Sequence, residues 1–297
     1  ISCASLAMLS ELDAQHLSNT AWSLAALALA DLPLFDALAS PAINLLAEGE
    51  GDPQNLSNTA WAFATIQFEH ESLFEAIAAA VMRSLQHFEG RNMSSSFWAF
   101  ATLGRRDSPL FTALAAAAIA RISDFAAQDL SNTLWSMAQL AFSHPPLLDS
   151  IASCALARIW EFGAQDLANT AWSCAYFIFS NPLLLNALSA SAIRTMGDFE
   201  SQNLATTAWA MAELDCENDP LLHAISSEAI RKIDALEPMP VATLLDRPLL
   251  PECREALQSR LFPLVDRFCA RLPTDLAFWR GGGYQQLVSD FRVGNFG

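Results

Sequence analysis

The sequence predicts an all-α fold: a right-handed α-solenoid of about six helix-turn-helix repeats of ~37 residues, with a helical C-terminal cap. Three observations carry this. A tryptophan recurs as Trp22, Trp61, Trp98, Trp135, Trp172 and Trp209, at spacings of 39, 37, 37, 37 and 37 residues. A fixed period between about 20 and 50 residues marks a solenoid, in which each repeat packs on its neighbours. Within each period the apolar residues fall at i, i+3 and i+4, the helical spacing, and strand-like alternation is missing.

Residues 1–12 are short, apolar and serine-rich, and are expected to form a partial helix capping the first repeat. Six repeats then run from about Asp13 to Leu236. Each begins with a helix, called A here, that starts near a glutamine and carries the tryptophan. Asp52 followed by Pro53 shows the entry, since aspartate is a good N-cap and proline suits the first helical position. Helix A is expected to end about six residues after the tryptophan, in a short polar linker that often holds proline, as in Pro33, Pro109, Pro145, Pro182 and Pro220. Helix B follows, as over residues 147–159.

After Leu236 the period fails. Pro238 and Pro240 break the helix, and residues 241–272 regain a helical pattern. Residues 1–236 hold 9 basic and 25 acidic residues, whereas residues 237–297 hold 7 of each. The sequence therefore divides into a repeat solenoid, 1–236, and a chemically distinct capping region, 237–297. Gly281, Gly282 and Gly283 form a flexible turn; the Lys-Ser/Thr that would make a phosphate loop does not follow them.

Laid out at about 100° per residue with Trp135 at zero, Leu130, Leu134, Met137 and Ala138 share one broad arc of helix A. Gln128, Asp129, Asn132, Ser136 and Gln139 fall on the opposite arc, and the tryptophan stands on the boundary. The tryptophans could stack on bases, but their strict recurrence beside an apolar arc predicts core packing, with Trp→Ala costing ~3–5 kcal/mol.

The polar stripe recurs in fixed and variable parts. Seven residues before the tryptophan stand Gln15, Gln54, Arg91, Gln128, Gln165 and Gln202; three before it stand Asn19, Asn58, Ser95, Asn132, Asn169 and Thr206. Six before it stand His16, Asn55, Asn92, Asp129, Asp166 and Asn203. Four after it the residue varies: Ala26, Thr65, Thr102, Gln139, Tyr176 and Glu213. Fixed residues suit a shared backbone contact and variable ones suit reading a sequence. The amides could equally bond neighbouring helices to each other, since buried amides must be satisfied. Tyr176, alone among these variable residues in being aromatic, is the best base-stacking candidate. Helix B carries its own ladder, Arg83, Arg121, Arg158, Arg194 and Arg231, each but the first followed by an acid at i+3 or i+4. Helix-end pairs of this kind read as structural, the alternative being a basic strip that could touch phosphates.

The full chain has 16 basic and 32 acidic residues, a net charge of −16. That excludes a general phosphate-backbone or DNA binder and favours solubility or a basic partner. There is no apolar run of ~18 residues, hence no membrane insertion. Six cysteines, Cys3, Cys154, Cys174, Cys216, Cys253 and Cys269, show no CxxC pair and no zinc-ligand spacing, which reads as free thiols in a reducing compartment. The five histidines are scattered, and no His-Glu-x-x-His, nucleophile-elbow or paired-carboxylate pattern stands out. No enzyme, metal or cofactor is expected.

The run Phe-x-x-Gln-x-Leu-x-Asn-Thr-x-Trp-x-x-Ala, as at residues 162–175, resembles the octotricopeptide repeat family and, more distantly, FASTK/RAP-type helical proteins. The likeness covers about residues 10–236 in six in-register copies. It implies A helices lining a concave face and sequence-guided binding of single-stranded RNA. It also implies a place in chloroplast or mitochondrial RNA processing, stability, translation or ribosome assembly. Carried over by position, the ligand-facing candidates are Gln15, Asn19, Gln54, Asn58, Thr65, Thr102, Gln128, Asn132, Gln139, Gln165, Asn169, Tyr176 and Gln202. The net charge supports a second reading, an acidic protein-protein scaffold or structural subunit of a large complex.

Overall fold

The computed structural model describes residues 12–214 and 219–232. Of the expected N-terminal cap only Leu12 falls within them, and the expected C-terminal cap, 237–297, lies outside. So do Cys3, Cys216, Cys253, Cys269 and the triple glycine.

Twelve α-helices and four short 3-10 turns make up the described residues, and no strand occurs among them. The A helices are α1 (Ala14–Ala26), α3 (Pro53–Thr65), α5 (Gly90–Thr102), α7 (Ala127–Gln139), α9 (Ala164–Tyr176) and α11 (Ser201–Glu213). The B helices are α2 (Leu32–Glu48), α4 (Glu71–Ser84), α6 (Ser108–Ala120), α8 (Pro145–Arg158), α10 (Pro182–Arg194) and α12 (Asp219–Lys232). The chain forms two compact units, residues 1–158 with α1–α8 and residues 159–297 with α9–α12. In the first unit α1, α3, α5 and α7 pack side by side in sequence, as do α2, α4, α6 and α8. In the second, α9 packs on α11 and α10 on α12. Each helix A also packs on its own helix B, so both units have the two-layer helix packing of an α-solenoid.

Each A helix starts at a defined cap. In the first two repeats the Asp13 and Asp52 carboxylates accept the N–H of His16 and Asn55, at 2.7 and 2.8 Å. In the later repeats the cap runs the other way: the side chains of Asn92, Asp129, Asp166 and Asn203 accept the N–H of the residue three before them. Either arrangement satisfies an orphan donor of the first turn. The B helices are capped by Asp31, His70, Asp107, His144 and Asn181. The prolines of the linkers sit in the first turn of the B helices that follow, where the missing N–H is harmless.

The end of helix A is sharper than the sequence suggests. Residue +6 after the tryptophan is left-handed in five repeats: Ala28, Gln67, Gly104, Ala141 and Ile178, with φ of 54, 54, 65, 54 and 52°. The next N–H then reaches back to the third carbonyl from the helix end, as from Phe142 to Met137 at 2.8 Å and Phe179 to Cys174 at 2.8 Å. This is a Schellman stop, usually made by glycine. Only Gly104 supplies one; the other four positions hold side chains that strain the turn.

The core is built from Phe, Leu and Ala. Phe35, Phe63, Phe74, Phe97, Phe100 and Phe111 are fully buried and meet edge-to-face or tilted, as in Phe35–Phe63 at 5.1 Å and Phe74–Phe100 at 5.1 Å. In repeats two to five, helix B ends in a 3-10 turn followed by a buried phenylalanine, Phe88, Phe125, Phe162 or Phe199. The first repeat lacks that turn. There α2 runs 17 residues to Glu48 and stops at left-handed Gly49, and Gly51 stands where the others have phenylalanine. This different B-to-A connection accounts for the single 39-residue spacing.

The arginine ladder on helix B is structural, and several of its side chains reach carbonyls of the preceding repeat. Arg83 donates to the Leu46 carbonyl at 2.7 Å, and Arg121 to those of Phe88 and Gln86 at 2.9 and 2.7 Å. Arg158 donates to the Phe125 carbonyl, and Lys232 to those of Gly197 and Phe199 at 2.8 and 2.6 Å. Each cation thus closes carbonyls left open where the preceding repeat turns from B to A. Arg194 acts through Ser191, which donates to the Ile159 carbonyl at 3.2 Å. Arg231 instead clasps Glu228, and this bond, with Lys232, holds the Glu228 carboxyl below the usual carboxylate range. Arg83 and Arg121 reach the preceding repeat because open carbonyls at a helix end attract cations.

Two stability outcomes follow from this geometry. Arg121→Met strands two carbonyls and should cost about 1–3 kcal/mol in urea unfolding, whereas Arg106→Met, at an exposed site, should stay within about 0.5 kcal/mol of wild type. Ile178→Gly should raise stability by about 1 kcal/mol, because Ile178 is 78% exposed and gives up strain without giving up burial.

Candidate nucleic-acid interface

A helix lying in the middle of a layer has a neighbour on each side and a B helix beneath it. Only a narrow strip stays open. The buried sides are small: Ser18, Ser57, Ser94 and Ser131, four residues before the tryptophan, are all buried, and Ala168 and Ala205 replace them in the second unit. Asp129 and Ser136, which helical spacing puts on the polar arc, are buried as well, because that edge of α7 faces its neighbour in the layer. The polar arc is thus split into a sealed edge and an open strip.

The sealed edge holds the inter-repeat ladder. Ser18 Oγ donates to Asn55 Oδ1 at 3.0 Å, Asn92 Nδ2 donates to Ser57 Oγ at 3.2 Å, and Ser94 Oγ donates to Asp129 Oδ1 at 2.7 Å. In these repeats the residue six before the tryptophan is therefore a linker between A helices. Asn92 and Asp129 also cap their own helices.

The open strip is a straight row along each A helix, at −7, −3, 0 and +4 from the tryptophan, which is i, i+4, i+7 and i+11. Gln15, Gln54, Arg91, Gln128, Gln165 and Gln202 are all exposed. Asn19 is exposed, and Asn58, Ser95, Asn132, Asn169 and Thr206 are half-buried. At +4, Ala26, Thr65, Gln139, Tyr176 and Glu213 are exposed and Thr102 is half-buried. The side-chain amides of Gln15, Asn19, Gln54, Asn58, Gln128, Asn132, Gln165 and Asn169 form no hydrogen bond within the described residues. Gln202 is different, donating to Thr206 Oγ1 at 3.4 Å. The Thr102 hydroxyl is buried without a partner among the described residues.

The tryptophans belong to this strip and not to the core. Trp22 is 45% exposed and the other five are half-buried. In the first three repeats they meet side by side, Trp22–Trp61 tilted at 6.1 Å and 35° and Trp61–Trp98 stacked at 6.3 Å and 29°. The expectation of core packing is corrected here. Across the first three repeats the recurrence gives a lateral ring-on-ring contact, which demands the same residue at each step as firmly as a core does. In the second unit Trp172 lies 5.7 Å from Tyr176, tilted by 31°.

The strip is close to neutral. Among its residues only Arg91 and Glu213 carry charge. Among the described residues the acids other than Glu213 lie at caps, in linkers and turns or on B helices, and Asp129 is buried in the ladder between α5 and α7. Among the described residues no three His, Cys, Asp or Glu side chains gather as a metal site, and no helix is long and apolar enough to cross a membrane. Cys174 is buried, which pushes its thiol up to about 12.

The family model for the RNA-editing substrate-binding complex 6 protein matches residues 1–94 and again 77–245. No curated protein matches the chain.

Because Trp61 is half-buried and Phe63 fully so, Phe63→Ala should cost about 3–5 kcal/mol and Trp61→Ala only about 2 kcal/mol in chemical denaturation. The reverse order would return the tryptophans to the core.

Proposed function

Since the chain belongs to the RNA-editing substrate-binding complex 6 protein family, we propose that it binds single-stranded RNA along the open strip of its A helices. It acts as a non-catalytic component of an organellar RNA-processing assembly. The observation that carries this reading is the row of unpartnered amides beside half-buried indoles, repeated at the same helix positions on a neutral strip of a chain with net charge −16. Amides donate to and accept from base edges, and aromatic faces stack on bases of any sequence. Such groups bind unstacked, single-stranded bases and have little to offer a duplex. The organellar setting follows the octotricopeptide resemblance. The competing reading, an acidic protein-binding scaffold, draws on the net charge alone.

The test is a titration of the purified chain with a labelled random single-stranded RNA pool and with duplex RNA, over a range of salt. Binding to the single strand should exceed binding to the duplex. Because Arg91 is the one cation on the strip, few phosphates are neutralised, and the salt dependence should be shallow, about 0.7 per phosphate contact. Replacing Gln128, Asn132 and Gln139 together by alanine should weaken binding about tenfold without lowering the melting temperature. Unchanged affinity in that variant, or no RNA binding even at low salt, would overturn the proposal and favour the scaffold.

A further inference from the structure

The third repeat departs from the common strip at two positions together. Four repeats carry a glutamine at −7 and an asparagine at −3; the third carries Arg91 and Ser95. These stand at i and i+4 on α5, so their side chains are neighbours on one face of one helix. Arg91 is exposed and Ser95 half-buried, and within the described residues neither side chain forms a hydrogen bond or an ion pair. Arg91 thus differs from Arg83, Arg121 and Arg231, which are held by carbonyls or by Glu228. It also stands in the first turn of α5, where a cation opposes the helix macrodipole. The fold gains nothing from its charge. The surrounding stretch is unusual as well. Residues 89–125 hold four basic and three acidic residues, against one and four over 52–88 and one and three over 126–162. Of these three repeats the third alone is net positive.

An amide both donates and accepts, which suits a base edge. A guanidinium only donates and keeps its charge, which suits a phosphate oxygen. A serine hydroxyl one helical turn away adds a second donor to the same anion. Exchanging Gln and Asn for Arg and Ser therefore turns a base-facing pair into an anion-facing one. We propose that Arg91 and Ser95 form a phosphate clamp, in which the guanidinium and the hydroxyl donate to the non-bridging oxygens of one backbone phosphodiester. The proposal rests on the reading of the strip as a single-stranded RNA surface. It assigns the third repeat to holding the backbone, while the amide repeats on either side face the bases.

The experiment uses the full chain and one single-stranded sequence recovered from the bound random pool, made once with phosphodiester and once with uncharged methylphosphonate linkages. The phosphodiester strand should bind about tenfold tighter at low salt, although a net charge of −16 by itself favours the uncharged backbone. Arg91→Gln installs the residue that five other repeats carry at this position, so the melting temperature should hold. That variant should erase or reverse the preference and lower the salt slope by about 0.7, one phosphate contact. Ser95→Ala should narrow the preference about threefold and leave binding of the methylphosphonate strand unchanged. Arg106→Gln, at an exposed arginine beyond the end of α5, should change neither preference nor slope. A preference and slope that survive Arg91→Gln, or that Arg106→Gln lowers equally, overturn the clamp and leave RNA binding standing. Failure to recover any bound sequence from the pool overturns both.

Discussion

The close lateral packing of A helices is the constraint on which the rest depends. Helices approach this closely only where small side chains line both flanks, and Ser18, Ser57, Ser94, Ala168 and Ala205 do so here. Sealing the flanks puts polar groups out of water, so each serine needs a partner. The Asn or Asp six before the next tryptophan provides it in the first unit, at 2.7 to 3.2 Å. An unmade bond at such a site would cost about 1–3 kcal/mol. The ladder therefore fixes register as well as spacing in the first unit, where each A helix turns the same narrow strip outward.

That geometry settles how a chain of net charge −16 can keep a neutral strip. Among the described residues most acids stand at helix starts, where the macrodipole favours them, in linkers or on B helices. The helix B cations are drawn to the carbonyls of the preceding repeat. Both signs are thus engaged in closing helix ends, and the strip is left to amides and indoles. Binding on such a strip draws on stacking and directional hydrogen bonds. It lacks the nonspecific phosphate attraction that dominates most RNA binders. Weak affinity for arbitrary sequences and sharper discrimination among bases are the expected consequences.

The period, the helix pairs and the proline-marked linkers were all legible in the sequence, because each rests on a local rule: helical spacing, N-cap chemistry or a missing N–H. The Schellman stops at Ala28, Gln67, Ala141 and Ile178 were not, because the glycine that signals them is present only at Gly104. The arginine partners were not legible either. Sequence offers the acid three or four residues on, but the carbonyls that Arg121 and Lys232 reach belong to another repeat. The split of the polar arc is of the same kind. Helical spacing places Asp129 beside Asn132, and only the neighbouring helix decides that one is sealed and the other open. The tryptophans were misjudged for a related reason, since a periodic lateral stack and a periodic core look alike in one dimension.

The two units show what a repeat can vary once its packing is fixed. Serine at −4 becomes Ala168 and Ala205, which removes the hydroxyl from the ladder and leaves apolar contact to hold α9 on α11. In the same two repeats the +4 position changes from small or amide residues to Tyr176 and Glu213. The first change lies on the sealed edge and the second on the open strip, so neither forces the other sterically. A repeat protein that bound a uniform ligand would gain nothing from altering the open position alone. Variation concentrated at +4, on a strip whose −7 and −3 amides stay nearly constant, is what a surface needs if it is to hold a polymer by its common features and distinguish its units one at a time.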